Sequence, residues 1–317
     1  MKNIKLIEVK SEIGAGTRGA SMGIDAIKIA ALDFGSSYFK KYKSVEIPNE
    51  NKLLLEPIQH EHAKRIKGVY TVVEKLSKEV EKTMKQENVF PIVLAGDHST
   101  AAGTISGIRM AFPEKRLGVI WIDAHADIHS PYTTPSGNMH GMPIAMVTAE
   151  DNIEFKVNNP DAESVEYWEK LKSIGNIQPK IFFSDLIFIG VRDIEKQEEE
   201  LLRKKNIRSF TVAEIRRKGV ERVAIEALNL LEKCDLIYVS FDVDSMDSTI
   251  SKGTGTPVKN GITEKEAGNL ISRLFYSKKV CCFEIVEINP TLDKENLMAE
   301  NAFEILLKAT NQLNRDF

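Results

Sequence analysis

Short runs rich in valine, isoleucine and phenylalanine alternate with longer helical stretches along this chain of 317 residues. This alternation is expected of a parallel β-sheet that is covered by helices on both faces. Several of the runs are apolar on both faces, which is typical of buried parallel strands. The predicted strands are residues 4–9, 89–95, 117–123, 186–191, 207–211, 236–243 and 280–288. The predicted helices are residues 22–32, 60–86, 100–111, 196–205, 220–232, 265–276 and 295–311.

The sequence shows no linker rich in proline, glycine or serine and no internal repeat, so we predict a single domain over residues 1–317. The polar stretch 148–180 carries little strand signal, and we interpret it as a surface excursion or as part of an oligomer contact. Ser99 is predicted to cap a helix, and Thr263 with Glu266 fits a capping box.

Charge and composition limit the possible ligands and compartments. The 43 basic and 46 acidic residues give a net charge of -3 and are mixed along the chain, so we expect no nucleic-acid or membrane partner and instead a small molecule. The N-terminus lacks a signal-peptide pattern, and the apolar runs are too short to span a bilayer. The three cysteines are most simply buried free thiols, which favours a cytoplasmic protein.

Three of the predicted strands run directly into side chains that bind metal ions. The carboxyl ends of parallel strands meet at one edge of a sheet, so these segments can converge although they are far apart in sequence. The i, i+2 spacing within the second and third segments places the side chains on one side of an extended backbone. The candidate ligands are His98 after the first strand, Asp123, His125 and Asp127 after the second, and Asp242 and Asp244 after the third.

The charge of this group indicates how many ions it holds. Four aspartates in one crevice repel each other unless cations lie between them, and two divalent ions would cancel their charge. A pair of metals about 3.5–4 Å apart can bind a bridging water and lower its pKa toward neutrality. Carboxylate-rich ligation with two imidazoles favours Mn²⁺, whereas thiolates would favour zinc. Each motif alone can also be a structural turn or a helix cap.

The motifs GDHS at 96–99, WIDAHAD at 121–127 and SFDVD at 240–244 resemble those of the ureohydrolase (arginase and agmatinase) family over nearly the whole chain. The resemblance implies a three-layer α/β/α sandwich with a central, mostly parallel sheet. It also implies two Mn²⁺ per chain, with Co²⁺ or Ni²⁺ as possible substitutes, bridged by Asp123 and Asp242. In this resemblance one ion is bound by His98, Asp123, Asp127 and Asp242, and the other by Asp123, His125, Asp242 and Asp244.

A second set of residues resembles the substrate contacts of arginases. The loop TTPSGNMHG at 133–141 is similar to an arginase loop that agmatinases usually lack, and hydroxyl and amide donors suit a carboxylate. The resemblance implies that Thr134, Ser136 and Asn138 bind the substrate α-carboxylate and that His140 shuttles protons. It further implies that Glu287 pairs with the guanidinium and that Thr256 lies beside it. The alternative for residues 133–141 is a surface loop that has no role in substrate binding.

Two positions depart from the family pattern. Arginases usually have asparagine where this chain has His129, so one substrate contact is altered. The α-amino-binding region reads Arg-Asp-Val-Asp in the family, whereas Asp193 is followed here by Ile194 and Glu195, which lengthens the second acid. L-arginine remains the favoured substrate, and another ω-guanidino acid or a small guanidine compound becomes more plausible.

The resemblance implies hydrolysis of L-arginine to L-ornithine and urea by a metal-bridging hydroxide that Asp127 orients, in a homotrimer or homohexamer. The alternatives are agmatinase, guanidinobutyrase or a related guanidino hydrolase, an inactive metal-bound regulatory protein, and a one-zinc deacetylase on the same layered fold. The pattern GxGxxG at 14–19 also resembles a dinucleotide fingerprint, but the acidic residue expected at the end of a second strand is missing. His60 and His62 are interpreted as solvated.

Overall fold

The computed structural model describes residues 3–315, and its centre is one sheet in which every strand pair is parallel. All seven predicted strands are confirmed, with ends that differ by one or two residues. The strands are β1 Asn3–Val9, β2 Ser44–Glu46, β3 Val89–Ala95, β4 Leu117–Ile122, β5 Leu186–Ile189, β6 Arg208–Phe210, β7 Leu236–Asp242 and β8 Val280–Val286. The ends of the predicted domain, residues 1–2 and 316–317, lie outside the described residues, and the single domain stays a prediction.

The strand order brings the chemistry-bearing strands together. The order is β2-β1-β3-β8-β7-β4-β5-β6, so β3, β8, β7 and β4 are consecutive neighbours in the middle of the sheet. All six residues of β4 are buried, as are six of the seven residues of β3 and of β7. Each fully buried valine, isoleucine, leucine or phenylalanine stabilises the fold by about 1.5–3 kcal/mol. The ends of these strands are therefore held by the best-packed part of the molecule.

Helices cover both faces of the sheet and complete the predicted three-layer α/β/α sandwich. One apolar core lies between the sheet and α1, α2, α8, α9, α10 and α11, and the other lies between the sheet and α3 to α7. The helices are α1 Gly23–Asp33, α2 Tyr38–Lys41, α3 Ile66–Met84, α4 Ala101–Ala111, α5 Pro143–Thr148, α6 Ala162–Lys172, α7 Lys196–Lys204, α8 Val212–Lys218, α9 Val220–Leu230, α10 Glu264–Leu274 and α11 Leu297–Arg315. The predicted capping box of Thr263 and Glu266 is present at the start of α10.

Several local predictions are wrong. Ser99 does not cap α4; instead the Asp97 carboxylate accepts a hydrogen bond from the backbone N–H of Ser99 and caps the short 3-10 turn His98–Thr100. The predicted helix 60–86 begins only at Ile66, because Arg65 has a left-handed backbone with φ of 56°. His60 is buried rather than solvated, and its Nδ1 lies 3.1 Å from Asp161.

The stretch 148–180 is more than a surface excursion. It contains α6, which packs against α3 and α5 and buries Trp168 and Leu171 in the core on that face. Asp151 accepts hydrogen bonds from the indole N–H of Trp168 at 2.7 Å and from Lys172 at 2.6 Å. The polar side chains of this stretch thus anchor it to the fold.

Two further findings concern the helices and the cysteines. Within residues 3–315 the structure has no helix that combines the length and the apolar character needed to cross a bilayer. Cys234 and Cys282 are buried free thiols, as predicted, whereas Cys281 is only half-buried.

Candidate metal centre and active site

The predicted ligands lie at the carboxyl ends of adjacent strands. β4 pairs with β7 and ends at Ile122, opposite Phe241, so Asp123 follows β4 beside Asp242, the last residue of β7. β3 leads through Gly96 and Asp97 to His98. The parallel sheet therefore makes three segments converge on one crevice, as the sequence predicts, although Asp123 and Asp242 are more than 100 residues apart in sequence.

Three carboxylates surround the imidazole of His98. Its Nδ1 atom lies 3.1 Å from Oδ2 of Asp123, 3.1 Å from Oδ2 of Asp127 and 3.2 Å from Oδ2 of Asp242. Both His98 and Asp123 are almost completely buried. This group contains the four residues that the family resemblance implies for one ion, and His98, Asp123 and Asp127 are close enough to bind one metal together.

A second group of candidate ligands adjoins the first. We call the group around His98 the first nest and the group around His125 the second nest, and the two share Asp123. The Nδ1 atom of His125 lies 3.5 Å from Oδ1 of Asp123 and 3.1 Å from Oδ2 of Asp244. The two oxygens of Asp123 therefore face different nests, which is the arrangement a bridging carboxylate needs. Asp242 presents Oδ2 to the first nest, while its Oδ1 accepts the backbone N–H of Asp244 at 2.8 Å. Bridging by Asp242 stays a prediction.

Two residues that the sequence analysis missed fix the orientation of His98. Its Nε2 atom lies 2.7 Å from Oγ of Ser240, and its ring stacks on Trp121 at 3.9 Å between centroids with an angle of 5° between planes. Ser240 precedes Asp242 by two residues and Trp121 precedes Asp123 by two, so each lies on the same face of its strand as a ligand. That alternation was the signal in the sequence that would have identified them.

The pKa shifts within this centre show how strongly its charges conflict. Burial and then Asp123 raise the pKa of Asp127 to about 6, and burial with Asp244 and Asp123 raises the pKa of Asp242 well above its usual range. Burial opposes protonation of His98, but Asp123, Asp127 and Asp242 outweigh it and raise the pKa of that imidazole. These shifts reflect a crowding of buried negative charge that divalent cations would relieve.

The donor atoms of the centre fit divalent metals. Nδ1 of His98 and Oδ2 of Asp123 are buried without a well-aligned hydrogen-bond partner, although a buried polar atom normally has one. Both atoms belong to the nest around His98 and point to its middle. A buried nitrogen and a buried oxygen that lack hydrogen-bond partners, in a centre with four carboxylates, fit the coordination of a divalent metal ion.

Two acidic residues of the site have backbones in the left-handed region. Asp127 has φ of 50° and Glu287 has φ of 66°. Residues other than glycine rarely adopt this conformation, and those that do so cluster at functional sites. Oε1 of Glu287 accepts the backbone N–H of His98 at 2.9 Å and lies 3.0 Å from Nδ1 of His140. The left-handed turn therefore directs Glu287 from the end of β8 into the site.

Glu284 faces elsewhere, as the odd spacing from Glu287 predicts. Its carboxylate accepts hydrogen bonds from the hydroxyls of Thr100 and Tyr238, both at 2.8 Å. Burial raises the pKa of Glu284. Glu284 therefore links Thr100, which follows His98 closely in sequence, to Tyr238 on β7 and does not face the site.

A cavity of about 420 Å³ opens above the metal centre. Most predicted site residues line it, whereas His98, Asp123 and Glu287 are buried around its floor. The predicted residues in the lining are His125, Asp127, His129, Thr134, Ser136, Asn138, His140, Asp193, Glu195, Asp242, Asp244 and Thr256. Glu198 also lines the cavity and was not predicted; its only sequence signal is its place three residues after the helix-capping Glu195.

The loop 133–141 presents hydrogen-bond donors to the cavity. Oγ1 of Thr134 accepts the backbone N–H groups of Ser136 and Gly137, and Oγ of Ser136 accepts that of Asn138. Because these hydroxyl oxygens are engaged as acceptors, their protons remain available to donate to an anion. Lys64 donates to Oδ1 of Asn138 at 3.3 Å and adds positive charge behind the loop.

The glycine-rich segment 14–19 supports this loop. The backbone N–H of Gly14 donates to Asp97 at 3.0 Å, and its carbonyl accepts the backbone N–H of His140. A Cβ at Gly14 would lie 2.5 Å from an oxygen of Asp97. The absence of a side chain at this position therefore allows the backbone to lie close to Asp97. This packing role accounts for the glycine without a bound dinucleotide.

Acidic residues lie at another part of the cavity wall. Oδ2 of Asp193 is 3.7 Å from Nε2 of His125, and Oε2 of Glu195 is 3.1 Å from Nε2 of His129. Thr256 donates to Oδ2 of Asp244 at 3.0 Å. The cavity thus has hydrogen-bond donors that suit an anion and carboxylates that suit a cation, and both lie above the candidate metal ligands.

Comparison with known proteins decides the family. A model of the arginase family matches residues 2–310. The chain belongs to the arginase family. This confirms the predicted family resemblance and the prediction of a hydrolase that acts on a guanidino C–N bond.

Individual relatives agree with the family model. Arginase from Bacillus caldovelox is 33% identical over 96% of this chain and 97% of its own length, and arginase from Bacillus subtilis is 32% identical over 96% of each. The crystal structure of the Bacillus subtilis arginase matches this arginase-family fold with a TM-score of 0.83 over the full length of both chains. Arginase from Entamoeba histolytica in complex with L-ornithine has a TM-score of 0.83 at 27% identity over 99% of each chain.

Proposed function

We propose that this chain hydrolyses L-arginine to L-ornithine and urea with two Mn²⁺ bound per chain. The observation that carries the proposal is the pair of nests that share Asp123 at the floor of the cavity. A guanidinium that enters the cavity would meet this acidic floor, and an amino-acid end would meet the donors and carboxylates of the wall.

The residues of the two nests would hold the metals. His98, Asp123, Asp127 and Asp242 would bind one ion, and Asp123, His125, Asp242 and Asp244 the other. When bound, the two ions would neutralise the carboxylates and lower the pKa of water toward neutrality, which supplies the nucleophile for hydrolysis. Oxygen-rich ligation with two imidazoles favours Mn²⁺, and Co²⁺ or Ni²⁺ would be substitutes.

Asp127, Glu287 and His140 would perform the remaining chemistry. The Asp127 carboxylate lines the cavity and would accept a hydrogen bond from the attacking water, which orients it toward the guanidinium carbon. Glu287 would pair with the guanidinium. Burial lowers the pKa of His140, but Glu287 outweighs this effect and raises it to about 9. At neutral pH the imidazolium could therefore donate a proton to the leaving amine.

The wall of the cavity would bind the amino-acid end of the substrate. Thr134, Ser136 and Asn138 would donate hydrogen bonds to the α-carboxylate, while Asp193 and Glu195 would attract the α-ammonium. Thr256 would contribute to the pocket beside the metal centre, where its hydroxyl already donates to Asp244.

The test is urea release from L-arginine after reconstitution of metal-stripped protein with Mn²⁺. Agmatine and 4-guanidinobutyrate are assayed in parallel. If the protein turned over only one of those two compounds, that compound would replace L-arginine as the assigned substrate. Asp123→Asn should abolish turnover and metal retention, because both nests use this residue. Asp33→Asn, at an exposed position at the end of α1, is the matched control. Full metal binding without turnover of any of the three compounds would contradict the proposed function.

We also propose that the chain assembles as a homotrimer or homohexamer and acts in the cytoplasm. The support for the assembly is the family resemblance, and the support for the compartment is that Cys234 and Cys282 are buried thiols outside any disulfide. Light scattering coupled to size-exclusion chromatography would measure the assembly, and a monomer would contradict it.

A further inference from the structure

Both ring nitrogens of His129 already have partners within the protein. Nδ1 lies 3.1 Å from Oγ1 of Thr133, and Nε2 lies 3.1 Å from Oε2 of Glu195. The ring is buried, with about 7% of the side chain exposed, and Oε2 of Glu198 is 3.6 Å from Nε2. Whether or not the imidazole is protonated, each nitrogen can hydrogen-bond to the partner beside it. His129 therefore has no polar atom left for a substrate carboxylate.

The carboxylate of Glu195 is held by this contact at the cavity wall. Glu195 is half-exposed and lines the cavity, whereas Glu198 below it is buried. Glu198 accepts the backbone N–H of Glu195 at 3.2 Å and that of Ile128 at 3.2 Å, so it ties the start of α7 to the segment that carries Asp127 and His129. The Glu195 side chain itself takes part in the capping box at the start of α7, and His129 holds it from a different loop.

We propose that His129 is a positioning residue that holds Glu195 toward the α-ammonium of the substrate and does not itself bind the α-carboxylate. This inference rests on the proposed function, because it names how that same site recognises its substrate. Recognition of the carboxylate then depends on the hydroxyl and amide donors of the loop 133–141. Recognition of the ammonium depends on an acid whose geometry is set by a histidine 66 residues away in sequence.

Three substrates separate this role from a direct contact. L-arginine carries both groups at its α-carbon and agmatine lacks the carboxylate. 4-guanidinobutyrate lacks the ammonium and is one carbon shorter, so each KM is compared with that of the unaltered protein for the same compound. His129→Leu removes the hydrogen bond to Glu195 while the ring position stays filled. We expect KM to rise by about tenfold for L-arginine and agmatine, the effect of one lost hydrogen bond to a charged group. For 4-guanidinobutyrate we expect KM within about twofold of the original value.

Two further variants test the mechanism of the effect. His129→Gln places an amide N–H near the position of the imidazole Nε2. Its KM for L-arginine should therefore be close to that of the unaltered protein, with little change in kcat. Glu195→Gln should raise KM for the same two ammonium-bearing substrates, and adding His129→Leu to it should cause no further rise. The control is His62→Leu, a partly exposed histidine outside the cavity lining, which should leave all three KM values unchanged.

The outcomes that overturn the inference are specific. Weaker 4-guanidinobutyrate binding with unchanged agmatine binding would show that His129 contacts the carboxylate. Equal losses for all three substrates, or additive effects of His129→Leu and Glu195→Gln, would show a general structural role. For a compound that is bound but not turned over, its inhibition constant against L-arginine replaces KM. If the unaltered protein with Mn²⁺ turned over none of the three compounds, the proposed function would fail and this inference with it, whereas a result confined to the variants concerns this inference alone.

Discussion

Replacement of Ser240 by alanine tests whether a residue that binds no metal controls the affinity for one. Ser240 lies 2.7 Å from Nε2 of His98, whose Nδ1 faces three carboxylates. When Nδ1 binds an ion, Nε2 carries the proton and donates it to the serine hydroxyl. Ser240→Ala would leave this N–H unpaired in a buried site, because only about 1% of the His98 side chain is exposed.

The expected size of the effect follows from this geometry. A buried donor without a partner costs about 1–3 kcal/mol, and loss of such a support typically lowers metal affinity by about 10–100-fold. The stacking of His98 on Trp121 remains in the variant, so the ring keeps its plane. We therefore expect the ion bound by His98 to lose about 10–100-fold in affinity. The ion bound by His125 should change by less than about threefold.

Calorimetric titration of metal-stripped protein with Mn²⁺ would measure both affinities. Ser209→Ala on β6, at the edge of the same sheet, is the matched control and should bind both ions as the unaltered protein does. An unchanged isotherm for Ser240→Ala, or an equal loss at both sites, would refute the assignment of Ser240 as the support of one ligand.

Three further predictions concern pH and substrate. Because the pKa of Asp127 is raised to about 6 in the metal-free protein, Mn²⁺ affinity measured by calorimetry should fall as pH drops through about 6, and a flat profile would contradict this. The pKa of His140 rises from 6.5 to about 9 on folding beside Glu287, so its contribution to stability is complete below pH 6.5 and disappears as pH rises through about 9. Urea unfolding of metal-free His140→Asn at both pH values should show that this part of the pH dependence is gone. Ser136→Ala should raise KM for L-arginine about tenfold and leave agmatine unchanged; a rise for both would remove Ser136 from the carboxylate site.

The central strands could be predicted because burial on both faces gives them a distinct sequence pattern. β3, β4 and β7 are mostly apolar runs that lead into the candidate ligands, so both their positions and the convergence of Asp123 and Asp242 follow from the sequence. β2 was missed because it has three residues at the edge of the sheet, and its strand geometry depends on pairing with β1. α6 was missed because most of its surface is polar and only a few side chains, including Trp168 and Leu171, reach the core.

The supports of the site were harder to predict than its ligands. The ligands occur in short motifs, whereas the contact of His129 with Glu195 joins two loops whose approach is set by the order of β4 and β5 in the sheet. The contact of His60 with Asp161 likewise joins residues that are 101 positions apart in sequence. No local pattern encodes such contacts. They arise from tertiary packing, and the structure is needed to see them.

The most direct test of the account is the number of metal ions that the centre requires. Metal-stripped protein is titrated with Mn²⁺, and bound metal per chain is counted by elemental analysis alongside urea release. The account predicts two ions per chain and turnover that appears only with both sites filled, because four buried aspartates share the crevice. Full turnover with one ion per chain, or a stable chain whose aspartates bind none, would contradict it.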